Sequence, residues 1–586
     1  MASNSSLPVP VGGGILDGLN STSHNATSRP STWFEALQDV DFLFLEAKLV
    51  LSAAGIIYVG AHAALRRPPS AALPKDKKAR RKTEEEDKLS QGLEMSDAIL
   101  FPVMAGIVLM GLYYLIQWLN DPAIISKILR WYMSIVSVAS LVTLYAHGVD
   151  LVAAFVFPKY WRGLDGILRT ANQKTQAVVR CDNVGNVSDD SSAAISNPLP
   201  GVLGFLAPTT KLQKVAWETR AIFKREWLLR FFLQGVGEEK TYIKFATMMA
   251  LPLAAATSVL YFSSNSPFLS NMLGYGMCYC AFLVLSPTDL LIGSLVLWGL
   301  FFYDIFMVFY TPYMITVATT LEVPIKLQFK AAQRQSILGL GDIVIPGMFI
   351  AWALRADLWL HYKRLVKYES TELKILQKDA ASGELVTRSE IKHREIKPPY
   401  VEVKGNWGDW FWTRRLMYLR APKEVPVSVA AGNFKKTYFY ASMVGYLLGM
   451  LATLAMLLVF KRGQPALLYL VPGVQGATYL TAIVRGELKS LWKYTEDGSL
   501  DTVDVVVDLD ADGNPLKTIG KLENGVVDTT KKDDKDAKAK QSDSKGANAG
   551  AHKKGEDEKD GNEGKKEKNH HVFLFSLEAP PDDKEA

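Results

Sequence analysis

The stretches LVLWGLFFYDIFMVFY (residues 295–310) and ILGLGDIVIPGMFIAW (residues 337–352) decide how the rest of the chain is read. Each is an apolar run of membrane-crossing character interrupted by one carboxylate, Asp304 in the first and Asp342 in the second. An ionisable side chain at membrane depth costs about 2.5–3.5 kcal/mol on insertion scales, so each needs a reason to be there. With a helical rise of about 1.5 Å per residue, Asp304 lies roughly 10 Å before the end of its run near Thr311, and Asp342 roughly 8 Å after the start of its run near Ile337. Consecutive spans run antiparallel, so both depths are counted from one membrane face. The two carboxylates meet at one level if the helices pack side by side.

Seven other apolar runs, near 42–65, 98–119, 129–157, 242–262, 268–286, 437–460 and 464–485, join the two that hold the aspartates, near 288–311 and 337–359. Each is about the 20 residues a helix needs to cross a bilayer. Hydrocarbon offers no partner to backbone N–H and C=O groups, which leaves helices or closed barrels. The runs lack the alternation of barrel strands and are too long for them. The expected fold is therefore an all-α polytopic membrane protein with about nine transmembrane helices, in keeping with a hydrophobic content of 48%. No H-E-x-x-H, G-x-S-x-G or Walker signature occurs, so neither a zinc site nor a cofactor is expected. Cys181, Cys278 and Cys280 form no disulfide framework.

Net charge is only +6 and says little about partners, but its distribution is informative. The segment after the first span holds Arg66, Arg67, Lys75, Lys77, Lys78, Arg80, Arg81, Lys82 and Lys88, whereas residues 1–41 hold a single basic residue, Arg29. The positive-inside rule then places that loop in the cytosol, the N-terminus in a lumen and, after nine crossings, the C-terminus in the cytosol. Sequons at Asn4, Asn20 and Asn25 fit a lumenal N-terminus, with Asn20 and Asn25 the expected glycan sites. No basic n-region precedes a short apolar core, so the first span is read as an anchor. Lys326, Lys330 and Arg334 run against this topology, because 312–336 should be lumenal.

Two segments between spans have the composition of membrane-surface elements: 211–233, where Trp217, Phe223 and Trp227 mix with Lys and Arg, and the stretch around Trp407, Trp410, Phe411 and Trp412. Ordinary loop packing is the alternative for both. From about 491 the chain reads as a charged, largely disordered tail, and the part beyond about 495 as dispensable for any chemistry upstream. Asp508, Asp510, Asp512 and Gly513 imitate the start of an EF-hand loop, but Ile519 stands where its bidentate Glu belongs, and 502–507 reads as strand.

Two carboxyl groups that meet in a low-dielectric site share a proton, as an aspartyl protease requires. One takes a proton from the attacking water while the other polarises the peptide carbonyl. Gly339 and Gly341 beside Asp342 let water or an extended backbone approach closely. Gln464-Pro465-Ala466-Leu467 opens the last span with a proline at a helix start, where backbone groups are left to find partners in a cleft.

Tyr303-Asp304, Gly339-Leu340-Gly341-Asp342 and Pro465-Ala466-Leu467 resemble the YD, GxGD and PAL motifs of presenilin-type intramembrane proteases. MITVATTLEVPIKL (314–327), GLGDIVIPGMFIA (339–351) and QPALLYLVPG (464–473) are more similar still to signal peptide peptidase. The resemblance covers about 42–490. It implies a presenilin-like fold, an endoplasmic reticulum enzyme that hydrolyses peptide bonds inside type II transmembrane segments and remnant signal peptides, and a catalytic pair at Asp304 and Asp342. Tyr303, Gly339, Leu340, Gly341, Gln464, Pro465, Ala466 and Leu467 are the expected active-site or substrate-binding residues. Expected partners are transmembrane substrates, lipid, further copies of the chain or quality-control proteins; nucleic acid is not among them. The expected division is a lumenal segment (1–41), five spans with cytosolic loops (42–286), four catalytic spans (287–490) and the tail (491–586). A proton-coupled transporter is the competing reading of intramembrane acids, but it leaves the GLGD and QPAL strings unexplained.

Overall fold

The computed structural model describes residues 40–578 except 120–121, 164, 183–184, 187–196, 234–236, 265, 321–324, 332–333, 379–384, 414–424, 461–463, 501–504, 510–514, 524–525 and 529–572. Asn4, Asn20 and Asn25 lie outside the described residues. The chain divides into two compact units.

The first unit is mostly helical. Among the described residues it carries 9 helices long and apolar enough to cross a membrane. They are α1 (Val40–Ala63), α2 (Met95–Trp118), α3 (Pro122–Val156), α5 (Phe245–Ser264), α6 (Pro267–Val284), α7 (Leu290–Phe309), α8 (Gly341–Lys363), α10 (Thr437–Phe460) and α11 (Leu467–Val484). Shorter helices include α4 (Thr210–Lys224), α9 (Trp407–Thr413) and α12 (Leu488–Lys493), and short strands β1 (Gln91–Leu93), β2 (Tyr160–Arg162), β3 (Leu168–Asn172), β4 (Ala177–Cys181) and β7 (Leu285–Pro287) lie between the helices. The spans are apolar all round, as helices meeting lipid on one side and protein on the other must be. The core gathers around α8, where all residues from Pro346 to Leu360 are buried.

Glycines bring particular helices together. A Cβ at Gly299 of α7 would come within 2.9 Å of Pro102 on α2. One at Gly445 of α10 would overlap the Gly473 carbonyl of α11. Such small residues let membrane helices pack backbone to backbone.

One span starts later than the hydropathy predicts. Residues 337–339 do not begin α8 but end strand β9 (Arg334–Gly339), which pairs antiparallel with β8 (Lys326–Ala331), Lys326 opposite Gly339. Asp342 is therefore in the first turn of α8, not a turn and a half inside it. The side chain of Asn271 on α6 fixes the hairpin: its amide donates to the Gln328 carbonyl and its oxygen accepts the Gln328 N–H, both at 2.8 Å. Non-helical backbone is tolerated at membrane depth only where protein or water satisfies it, and the hairpin bonds supply part of that.

The expected surface segments both make contacts within the fold as well as exposing apolar residues. Residues 211–233 are not one amphipathic helix: α4 ends at Lys224 and strand β5 (Glu226–Leu233) follows. Trp217 of α4 is buried, and Arg220 donates to the Phe157 and Pro158 carbonyls at 3.3 and 2.9 Å. Helix α9 lies against the end of α3, Trp407 and Trp412 donating their indole N–H groups to the Leu151 and Phe155 carbonyls.

The unit ends on an ion-pair cluster. Glu496 is buried and accepts from Arg66, from Arg355 Nε at 2.8 Å, from Ser286 Oγ at 2.6 Å and from Tyr494 Oη at 2.7 Å. Its backbone N–H donates to the Thr288 carbonyl. Burial alone would raise the Glu496 carboxyl, but Arg355 and Arg66 overcome it and hold the group down at about 2. Leu491 and Tyr494 are buried as well, and the compact unit runs to Leu500. The tail expected from 491 therefore does not begin until about 500.

The second unit draws on residues 226–243, 365–398 and the chain beyond 501. Strands β10 (Lys367–Lys378) and β11 (Leu385–Ile396) pair along their full length and close a small barrel with β12 (Val505–Leu509), β13 (Pro515–Glu523) and β14 (Val526–Asp528). Leu373, Ile375 and Val527 fill it. A second sheet joins β5, β6 (Gly237–Lys244) and β15 (Phe573–Glu578), with β5 central. The acidic Asp508 stretch supplies β12, with Asp508 paired to Lys392 of β11. Parts of the expected disordered tail thus complete sheets begun by earlier loops.

Candidate active site

Helix α7 carries Asp304 five residues before its last residue, Phe309, and the side chain is buried. Its surroundings include the start of α11. The Leu467 backbone N–H donates to Asp304 Oδ2 at 3.1 Å. The reason lies in the local sequence: Pro465 and Ala466 lead into a helix whose first residue is Leu467, and the first N–H groups of any helix have no partner within it. One of those orphan donors is satisfied by the carboxylate of another span.

Asp342 follows Gly341 at the start of α8, half-buried, within electrostatic reach of Asp304. The backbone enters the helix through Leu340, whose N–H donates to the Ile325 carbonyl and whose own carbonyl receives the Val344 N–H at 2.8 Å. Leu340 is a buried wedge against Gly274 of α6, where a Cβ would sit 3.3 Å from the leucine. Gly339 is tight in another direction, since a Cβ there would meet Asp342 Oδ2 at 3.3 Å. At Gly341 the nearest atom to a Cβ is Ile345 Cδ1 at 3.8 Å, so that position is open.

Tyr303 lines an apolar groove of about 430 Å³ with Phe101, Met104, Val108 and Leu112 of α2 and Ile325 ahead of β8. The groove adjoins the residue before Asp304. Gln464 accepts at 3.5 Å from Tyr469 one turn into α11. The fold therefore brings Asp304, Asp342, Gly339 and Leu467 to one locality, with Tyr303 on its groove side and Leu340 in the packing behind it. No group of three or more His, Cys, Asp or Glu able to hold a metal occurs among the described residues.

The residues 82–498 match the family model described as signal peptide peptidase. The chain belongs to the signal peptide peptidase family. Among similar proteins, a probable intramembrane protease of Saccharomyces cerevisiae is 26% identical over 75% of this chain and 65% of its own length. Intramembrane protease 2 of Caenorhabditis elegans is 35% identical over 36% of this chain and 34% of its own. The signal peptide peptidase of Mus musculus is 30% identical over 46% of this chain and 56% of its own. The chain thus spans between one third and two thirds of the length of these relatives. No solved structure matches.

Several polar residues in the spans had drawn no notice in the sequence. Arg355 and Asp357 both sit in α8: the first meets Glu496, and the second accepts the Tyr438 and Phe439 N–H groups at 3.2 and 2.9 Å, capping α10. Tyr446 of α10 is fully buried, lies within electrostatic reach of Asp342, and has a hydroxyl with no hydrogen-bond partner among the described residues. The available signal was a tyrosine in an otherwise apolar MVGYLLGM.

Proposed function

We propose that the chain is an intramembrane aspartyl endopeptidase in which Asp304 and Asp342 activate a water against a peptide bond of a transmembrane segment. The hydrogen bond from Leu467 to Asp304 carries this reading. A backbone donor aimed at one carboxylate fixes its orientation and favours negative charge on it. Asp304 then has the part of the base that takes the proton of water. Asp342 holds the shared proton and donates it to the carbonyl oxygen, so that a tetrahedral diol forms without free charge in a low-dielectric site. Collapse of the diol returns a proton to the departing amine.

The groove beside Tyr303 is lined by side chains suited to an apolar helix, which supports transmembrane substrates. Family membership supports an endoplasmic reticulum setting with type II segments and remnant signal peptides among the substrates. The basic residues after α1 support a lumenal N-terminus and a cytosolic C-terminus. Glycan at Asn20 or Asn25 tests that orientation by endoglycosidase mobility shift.

The deciding experiment is cleavage of a type II transmembrane peptide by purified chain in detergent. Asp304→Ala and Asp342→Ala should each abolish cleavage with insertion intact, and the double variant should be no worse than either, because the pair acts as one unit. Wild-type cleavage by Asp342→Ala would reject the proposal.

A further inference from the structure

Strand β15, the chain's last described element, pairs antiparallel with β5, Phe575 opposite Phe231 and Leu577 opposite Leu229. Residues directly opposite share a face of the sheet, and successive residues alternate between faces. One face therefore presents Phe575, Leu577, Phe231 and Leu229, all apolar. On the other face Arg230 pairs with Glu578 at 3.4 Å. Three residues of the apolar face are solvent-exposed: Phe575 by 61%, Leu577 by 41% and Phe231 by 39%. A sheet face made of large apolar side chains, three of them exposed, marks an interaction surface.

The chain itself indicates what covers it. Strand β6 ends at Lys244 and the membrane span α5 begins at Phe245, with no residue between. The sheet consequently hangs from the first residue of a span. Eight residues of β6 reach no further than about 26 Å at 3.3 Å per residue. Arg225, exposed at the other join, is suited to a headgroup phosphate.

We infer that the β15–β5–β6 sheet is a membrane-surface element, laying its Phe575, Leu577, Phe231 and Leu229 face into the phospholipid surface of the leaflet from which α5 starts. The C-terminal strand then returns the charged tail to the bilayer instead of leaving it to trail in solvent. This holds whether or not the aspartates hydrolyse peptides.

The test uses the full chain in phospholipid nanodiscs, with an environment-sensitive nitrobenzoxadiazole label on Phe575→Cys or, on the opposite face, Ser576→Cys, the unsubstituted chain giving the background of the native cysteines. A shallow nitroxide lipid should quench the label at 575 several-fold more than that at 576. Equal quenching, quenching of 575 by aqueous iodide, or shielding from both lipid and iodide, as a protein partner or second copy would produce, overturns the inference. In case the label disturbs pairing, the unsubstituted chain is cross-linked with a diazirine phospholipid and peptides containing 573–578 are examined by mass spectrometry. Adducts there are expected, and Phe575→Glu with Leu577→Glu should lower their yield about tenfold, which is within the effect of removing one large apolar side chain from the bilayer. Adducts confined to the nine spans would overturn the inference as well.

Discussion

Replacing Glu496 with Gln should destabilise the helical unit by about 3–5 kcal/mol, the usual cost of leaving a buried charge without its partner. The structure supports the size. Arg355 and Glu496 have side chains only 3% and 6% exposed, and Arg66 is 14% exposed, so little solvent is present to compensate. Holding the Glu496 carboxyl at about 2 instead of 4.5 corresponds to about 3 kcal/mol at 1.4 kcal/mol per unit. The sign is that of a depressed carboxylate: the contribution is fully present above pH 4.5 and is lost as pH falls through about 2. Three proteins separate the cluster from the tail: full-length Glu496→Gln, a chain ending at Leu500, and a chain ending at Thr495. Labelling of the buried Cys278 thiol during a thermal ramp reads the helical unit directly. Glu496→Gln and the Thr495 truncation should expose the thiol at clearly lower temperature, while the Leu500 truncation, which removes only strands of the other unit, should follow the wild type. A Glu496→Gln protein that labels at the wild-type temperature would refute the argument, because two buried guanidiniums would then have tolerated losing their counter-ion.

Gly339→Ala should lower cleavage at least about tenfold with little loss of stability, because its methyl would press on Asp342 Oδ2 and a small misplacement of a reacting group is costly; kcat for a transmembrane peptide is the readout. Asp357→Ala should cost about 1–2 kcal/mol of thermal stability through loss of the α10 cap, without the complete loss of turnover expected for Asp304 or Asp342. Tyr446→Phe should leave the melting temperature unchanged, since the hydroxyl has no hydrogen-bond partner among the described residues to lose, yet reduce cleavage if that hydroxyl serves the bound substrate; unchanged kcat would assign the tyrosine to packing alone.

The spans were legible because bilayer thickness imposes a length on each apolar run, and composition reports it directly. The extended lead into Asp342 was not, because Ile337 to Gly341 read as the apolar start of the span that follows. Nothing in those residues announces that Asn271, some sixty positions earlier, will hold the partner strand. Glu496 was misread for a similar reason: a glutamate in a polar stretch looks like the start of a tail, and only folding brings Arg66 and Arg355 to it. Apart from the run 502–507, which overlaps β12, the strands of the second unit escaped because short pieces from three distant segments must meet before any of them has a core.

The corrected start of α8 alters the chemical argument as well as the boundary. A carboxylate a turn and a half inside a helix would have around it only N–H groups of its own helix that are already paired. At the first turn, with Gly339 and Gly341 on the approach, Asp342 stands where the chain passes from strand to helix and where the helix has unpaired N–H groups. Asp304 meets the matching situation from across the site, since its donor is the first N–H of α11. Both aspartates thus sit at helix beginnings, one at its own and one at another span's. A helix beginning is a place in a membrane where free backbone donors can face an acid without having to break helical bonds already formed. It follows that replacing Pro465, which disfavours an earlier start to α11, with Ala should let the helix extend backwards and draw the Leu467 N–H into an intrahelical bond. Cleavage should fall while the span remains inserted, and an unchanged kcat in Pro465→Ala would show that the Leu467 donor is not needed at Asp304.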